Sequence, residues 1–239
     1  MTNPAIFLSV VIPAYNEENS IERVLLEHLE AVRKLDSHLE NWEIVCLDDA
    51  SGDRTLQIVQ ALAQRIPQLR ILRHAQNQGI YASYAELFRE ARGTHIYQTA
   101  SDGQWPAENL LKMFQHLKTH SCDLVIGVRR NRREIYNPWR YLLSAGFNFL
   151  PRFFFKVITR DANSIKLGCR AIFNLNVISR SFFAEIERII EAQKKGYRVG
   201  FVPINFLPRS EGQAQGARWR NISATIRDFF RYALRELRS

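Results

Sequence analysis

The sequence has no C-x-x-C pair, and its three cysteines, Cys46, Cys122 and Cys169, are widely scattered. This excludes a disulfide framework and a cysteine-based zinc site. Cys46 and Cys122 sit in or beside apolar, strand-like runs, so buried structural thiols and a cytosolic setting are expected. No basic segment followed by an apolar one opens the chain, so no signal peptide is expected. A membrane span needs ~20 apolar residues. The longest charge-free apolar run of the C-terminal half, Tyr141 to Pro151, falls far short of that, so the chain is expected to lie on a bilayer rather than cross it. Internal repeats and low-complexity tracts are absent. So are G-x-G-x-x-G and Walker loops, which argues against a dinucleotide fold or a P-loop NTPase.

What is present is a core-forming chain. With 239 residues, 46% of them hydrophobic, it can bury roughly 70–75% of its unfolded surface in one core. A single domain over 1–239 is expected, with helical appendages at 136–158 and 219–237. Charge is unevenly spread. Residues 1–120 carry 11 Lys/Arg against 15 Asp/Glu, and residues 121–239 carry 22 against 9, so the excess of positive charge lies wholly in the second half. That asymmetry points to an anionic partner: a lipid headgroup, a phosphate or a nucleic acid.

Strands and helices alternate. "IFLSVVIP", "WEIVCLDD", "LRILRH", "THIYQTA" and "DLVIGV" read as buried strands. Between them lie helical patterns: Ile21 to Leu35, Leu56 to Ile66, Tyr81 to Ala91, and a helix started by Pro106. This βαβαβαβαβ order predicts an α/β fold, a doubly wound and mostly parallel sheet covered by helices. Such sheets bind ligands beyond the carboxyl ends of their strands. The polar clusters sit there: Tyr15, Asn16 and Glu17; Asp48, Asp49 and Ser51; Ser101, Asp102 and Gln104; Arg129 and Arg130. Ser51 and Asp53 read best as loop or helix caps.

"LSVVIPAYNEENSI", "VCLDDASGDRT", "NQG", "ASDGQWP", "DLVIGVRRNRR", "DANSIKL" and "FVPINFLPRSEGQAQG" follow the order and spacing of family 2 glycosyltransferases with the GT-A fold. Over about residues 7–220 the chain resembles the dolichyl- or polyprenyl-phosphate sugar transferases of that family. The resemblance implies that Pro13, Tyr15 and Glu17 line the nucleotide base and ribose, and that Asp49 accepts a hydrogen bond from the base. It puts Ser101 among the donor contacts and makes Asp102 and Gln104 the metal-binding end of a D-x-D-x-Q signature, for Mg²⁺ or Mn²⁺. Arg129 matches the arginine after the fifth strand, Lys166 and Arg209 the basic residues beside the donor phosphates, and Ser164 the small polar residue of a D-x-x-S/C turn. Ala100 stands where the family has the first Asp. With Asp102 and Gln104 holding the metal, position 100 is expected to face the ribose and activity to persist. "DANSIKL" is one residue shorter than the family's turn and lacks its Gly-Phe pair.

The chemistry suits these residue types. A nucleotide-sugar loses a diphosphate that gains negative charge as the glycosidic bond breaks. A hard divalent cation neutralises it with few protein ligands, and Arg and Lys complete the clamp. Residues 136–158 add an apolar surface (Trp139, Leu142, Leu143, Phe147, Leu150) and a polar stripe of Arg140, Ser144 and Asn148. Phe153, Phe154 and Phe155 follow Pro151, and cations bracket the segment from Arg129 to Arg160. Contact with an anionic membrane surface is expected there, as the family's interface helices also imply. Arg140 and Ser144 would position an acceptor phosphate, joining Asp102 and Arg129 as catalytic residues. Transfer to a polyprenyl phosphate, with inversion and at the cytoplasmic face, is the leading expectation. A phosphate monoester is largely dianionic at neutral pH (second pKa ~6) and needs no strong base. Transfer to a sugar hydroxyl would need a carboxylate base, and Glu185, Glu187 and Asp161 are the candidates. Glu187 reads more simply as a helix-surface residue and Asp161 as a turn residue. The third alternative is a non-catalytic binder. Nucleic acid is disfavoured because the aromatics sit at helical apolar spacing rather than on a sheet platform. The final helix, with Trp219, Ile222, Ile226, Phe229, Phe230, Ala233 and Leu237 on one face, docks on the core or forms a second basic anchor.

Overall fold

A computed structural model describes residues 7–130, 151–208 and 219–237. Strand β1 (Phe7–Ala14) is followed by α1 (Ile21–Arg33), β2 (Asn41–Asp48), α2 (Thr55–Ala63), β3 (Leu69–Arg73), α3 (Ile80–Glu90), β4 (His95–Gln98), α4 (Glu108–Thr119) and β5 (Leu124–Arg129). After the segment 151–165 come β6 (Lys166–Cys169), the short α5 (Arg170–Phe173), α6 (Phe183–Lys194), β7 (Val199–Ile204) and α7 (Trp219–Glu236). The seven strands form one sheet in the order β3-β2-β1-β4-β6-β5-β7.

The period-two pleat explains the layering. On β1, Leu8, Val10 and Ile12 join the apolar cluster under α1 and α4, while Val11 joins the cluster on the opposite face. Ile44 and Cys46 on β2 follow the first set, and Val45 and Leu47 the second. Buried on both faces, these strands read as continuous apolar runs. Cys46 is fully buried, and burial pushes its thiol up to about 12. Cys122, expected to be buried, is only half-buried.

Two strands escaped the sequence reading. β6 is four residues long and runs antiparallel to both β4 and β5. Gly168 lets it lie against β5, since a Cβ there would stand 2.5 Å from the Asp123 carbonyl oxygen. β7 contains Pro203 and sits at the sheet edge, parallel to β5, where a missing N–H is tolerated. The antiparallel insertion has a functional consequence. It brings the first residue of β6, Lys166, to the same sheet edge as the last residues of the parallel strands, in register with Gln98 and Ile126.

The last helix docks on α6, but not by its most apolar face. Tyr232 is fully buried and donates its hydroxyl to Glu191 at 2.9 Å. Arg235 reaches Glu191 at 2.6 Å, and buried Asp228 accepts the Arg180 N–H at 3.0 Å. Ile226, Phe230 and Leu237, placed by the sequence on one apolar face, are exposed, while Ile222, Phe229 and Ala233 of that row are half-buried and Phe229 packs inward in part. No helix among the described residues is long and apolar enough to cross a membrane.

Candidate active site

The carboxyl ends of β1 and β2 are knitted into one rim. Asn16 takes a left-handed φ of 54°, donates its N–H to Ser51 Oγ and accepts the Gly52 N–H on its side chain. Glu17 N–H donates to Thr55 Oγ1, and Glu18 N–H to Asp53 Oδ2. Asp53 also accepts the Thr55 N–H at the start of α2, so Ser51 and Asp53 serve as loop and cap ligands. Ala50 and Asp161 are left-handed as well. Such backbone is uncommon outside glycine and concentrates at functional sites.

On this rim Pro13 is buried within β1, opposite Leu47, while Tyr15 stands 46% exposed. The Glu17 carboxylate accepts from Ser20 Oγ at 2.9 Å. Asp49 is not the open acceptor that the sequence suggested. Its Oδ1 takes the Gln78 N–H at 2.8 Å and contacts His74 Nδ1 at 2.6 Å, and its Oδ2 takes the Gly79 N–H at 2.8 Å. Gly79 has φ 86°, which favours glycine, and opens α3. Asp49 therefore holds the Asn77–Gly79 loop in place. His74, which the sequence reading passed over, bridges Asp49 and Glu86, the latter at 3.1 Å. Burial works against its charged form, but the two carboxylates outweigh it and raise its pKa.

Beyond β4, Ser101 is buried and Asp102 partly exposed. Asp102 Oδ1 accepts the Gln104 N–H at 3.1 Å. Gln104 is anchored to the segment after β7, donating its side-chain N–H to the Leu207 carbonyl at 3.1 Å, which leaves its amide oxygen as the atom able to meet a cation. Among the described residues no group of three His, Cys, Asp or Glu is placed to hold a metal. Asp102 and Gln104 fit a hard divalent ion that takes its other ligands from a diphosphate and water, the usual manner of Mg²⁺. Ala100 is half-buried against the core.

The basic residues depart most from expectation. Arg129 does not stand open at the end of β5. Its Nε donates to Asp161 Oδ2 at 2.8 Å, its terminal nitrogen pairs with Oδ1, and its backbone N–H also reaches Oδ2. Its guanidinium lies over the rings of Trp105, at 5.5 Å, and Phe206, at 5.1 Å. Asp161, read as a turn residue, is the buried anchor of this arginine. Lys166, expected beside donor phosphates, is fully buried. It pairs with Glu185 at 2.7 Å and donates to the Ser164 carbonyl. Arg188 is 3.9 Å from the other Glu185 oxygen. Glu187, read as a surface residue, is fully buried. It accepts the Ile178 and Ser179 N–H groups and the Ser179 hydroxyl. Ser164 is buried, and its hydroxyl has no hydrogen-bond partner among the described residues, leaving an atom for a ligand to satisfy. Arg140, Ser144 and Arg209 lie outside the described residues.

Comparison with known proteins places this rim in context. The family model described as "Glycosyl transferase family 2" matches residues 9–182. A dolichyl-phosphate beta-glucosyltransferase of Trichomonas vaginalis is 26% identical over 220 residues, covering 84% of this chain and 66% of that protein. A dolichol-phosphate mannosyltransferase of Pyrococcus furiosus is 32% identical over 144 residues, covering 58% of this chain and 38% of that protein. The chain thus spans less than two thirds of the length of either relative. A glucosyl-3-phosphoglycerate synthase from Mycobacterium tuberculosis, solved with Mn²⁺, UDP-glucose and phosphoglyceric acid, superposes with a TM-score of 0.69 at 18% identity, covering 93% of this chain and 79% of that one. At that identity the likeness speaks for the fold alone, and it is the α/β GT-A arrangement expected from the sequence.

Proposed function

The chain belongs to glycosyl transferase family 2, and from that premise we propose that it moves a hexose from a UDP- or GDP-linked sugar onto a polyprenyl phosphate at a membrane surface, with inversion. One observation carries the choice of acceptor. The three carboxylates that the sequence offers as bases for a sugar hydroxyl are each spent inside the protein: Asp161 on Arg129, Glu185 on Lys166, and Glu187 on the 178–179 backbone. A hydroxyl nucleophile needs a positioned base. A phosphate monoester does not, because most of it is already dianionic at neutral pH (second pKa ~6). The names of the relatives, dolichyl-phosphate glucosyltransferase and dolichol-phosphate mannosyltransferase, support the same acceptor class.

In this reading Tyr15 and the rim around Glu17 receive the nucleoside, and Asp102 with Gln104 hold Mg²⁺ or Mn²⁺. The cation would neutralise the departing diphosphate. Arg129 lends positive potential from its fixed place over Trp105 and Phe206, and Ser164 offers its hydroxyl to the donor. The acceptor phosphate is assigned to Arg140 and Ser144. The test is to incubate the chain with radiolabelled nucleotide-sugars, Mg²⁺ or Mn²⁺, and dolichyl or undecaprenyl phosphate, following label into organic solvent. Label that appears only with a soluble saccharide acceptor would reject the lipid phosphate.

A further inference from the structure

The outward face of α7 presents a row of apolar side chains that the fold leaves uncovered. Ile226, Phe230, Leu234 and Leu237 are 51%, 58%, 55% and 84% exposed. Their spacing of four, four and three residues makes one stripe at the helical period. It lies opposite the row Asp228, Tyr232 and Arg235, which makes the contacts with α6. The helix therefore turns Asp228, Phe229, Tyr232 and Arg235 to the protein and this stripe away from it.

The stripe does not end at the helix. Phe229 and Phe230 are in edge contact, Phe154 meets Phe229 at 5.4 Å, and Phe153 meets Phe154 at the same distance. Phe153, Phe154 and Ile158 are themselves more than half exposed. Contiguous apolar surface of this kind marks an interaction site. Its Phe229 end lies near the start of α6, and its Leu237 end runs toward Lys194 at the other end of that helix. Phe229 packs on Phe183 at 5.6 Å, at the start of α6. Two residues further on, Glu185 meets Lys166 at the strand-end rim.

Charge decides the occupant. Arg227 and Arg231 are exposed on the flank of the stripe, and Arg152, Lys156 and Arg160 are exposed beside the phenylalanines. The two acids of α7 are spent inward, Asp228 on the Arg180 N–H and Glu236 on Lys194. A second copy of the chain seated on this face would set arginine against arginine with no carboxylate of the helix to receive them. An anionic lipid surface offers apolar depth for the stripe and negative charge for its flank.

We propose that the outer face of α7, together with Phe153, Phe154 and Ile158, seats the protein on an anionic bilayer, with the helix lying in the headgroup layer. The proposal deepens the lipid-phosphate reading and rests on it for its purpose. Its test is separate: sedimentation of the chain with vesicles of phosphatidylcholine, with and without phosphatidylglycerol, at low and high salt. The wild type should bind the phosphatidylglycerol vesicles and be released by salt. Phe230→Ser with Leu234→Ser and Leu237→Ser should weaken that binding about tenfold or more with an unchanged melting temperature, since these side chains face outward. Leu237→Ser alone, at the most exposed position, should weaken it measurably and guards against a folding defect in the triple variant. Arg227→Gln with Arg231→Gln should reduce the salt dependence. Vesicle binding by the triple variant equal to wild type would overturn the proposal. So would a wild-type dimer, seen by light scattering, that the triple variant loses. Transfer to polyprenyl phosphate dispersed in detergent, where no bilayer exists, should be the same for wild type and triple variant. Absence of that transfer in the wild type, with vesicle binding intact, would reject the acceptor and leave the seating surface standing.

Discussion

Lys166 Nζ lies 2.7 Å from Glu185 Oε2, with the lysine wholly out of solvent and the glutamate nearly so. Burial pulls the lysine below its ordinary pKa, and Glu185 counters only part of that. For Glu185, burial favours the neutral acid, but Lys166 and Arg188 outweigh it and hold the carboxyl below its ordinary range. The pair is a mutual dependency at the floor of the strand-end rim. Removing one partner of a buried pair strands the other charge and costs about 3–5 kcal/mol. Glu185→Ala should lose stability on that scale in denaturant unfolding. Lys166→Met combined with Glu185→Leu should recover part of it, because no lysine is then stranded, while buried Arg188 still loses its carboxylate neighbour at 3.9 Å. A Glu185→Ala variant as stable as the wild type would show that Lys166 does not need its partner.

The same pair shows where sequence reasoning stops. The long strands β1 and β2 are legible because burial on both faces makes them unbroken apolar runs. Tyr15, Asp102 and Gln104 are legible because a parallel sheet gathers strand ends on one edge. Lys166 is not legible. Its strand is four residues long, and only pairing with β4 and β5, distant in sequence, decides that the side chain points inward. Glu187 falls in the same class. Its backbone donors lie eight and nine residues before it, but its cation, Arg235 at 3.7 Å, comes from the far end of the chain. The orientation of α7 is set likewise. Amphipathic spacing puts Ile226, Phe230 and Leu237 on one face without choosing whether it docks or faces outward, and the ion pairs of Arg235 and the Tyr232 hydroxyl fix the opposite side to the protein.

His74 gives the fold a pH dependence whose sign follows from its partners. Its pKa is raised above the ordinary 6.5 because the hydrogen bonds and charges of Asp49 and Glu86 outweigh burial. A group with a raised folded pKa contributes stability that is fully present below its unfolded value and is lost as pH rises through the folded one. His28, His95 and His116 are shifted the other way by burial, so the His74 part is read as a difference: the stability lost on His74→Gln should be largest below pH 6.5 and shrink as pH rises into the alkaline range. A variant curve parallel to the wild type across that range would remove His74 from the account.

Tyr15 is exposed where the rim would receive a nucleoside, so its ring can be tested without disturbing the core. Stacking on an aromatic ring contributes about 1–3 kcal/mol per base. Tyr15→Ala should weaken UDP or GDP binding by roughly tenfold or more, with Tyr15→Phe close to wild type and both melting like it. Calorimetric titration of the nucleotide in the presence of Mn²⁺ measures this. Unchanged affinity in Tyr15→Ala would move the base elsewhere on the rim.

The metal assignment makes separable demands on three neighbouring residues. Asp102 is the only carboxylate in the segment after β4, so Asp102→Ala should abolish metal-stimulated transfer and the metal dependence of nucleotide binding together. Gln104 would contribute a neutral oxygen, and its amide nitrogen already donates to the Leu207 carbonyl. Gln104→Ala should weaken the metal less than Asp102→Ala does, and should also loosen the segment after β7. Gln104→Glu supplies a stronger cation ligand while losing that donor, so metal affinity should rise as melting temperature falls. Ala100 is half-buried beside Asp102, and Ala100→Asp would set two carboxylates close together. Without metal they repel, which should lower the melting temperature. Mn²⁺ held by Asp102 and Gln104 would screen the two carboxylates from each other, so the loss should be recovered and nucleotide affinity should match or exceed that of the wild type. Mn²⁺ titrations followed by thermal melts of the four variants distinguish these outcomes. An Asp102→Ala protein that keeps the wild-type metal response, or an Ala100→Asp protein that Mn²⁺ does not restabilise, would place the cation away from this loop.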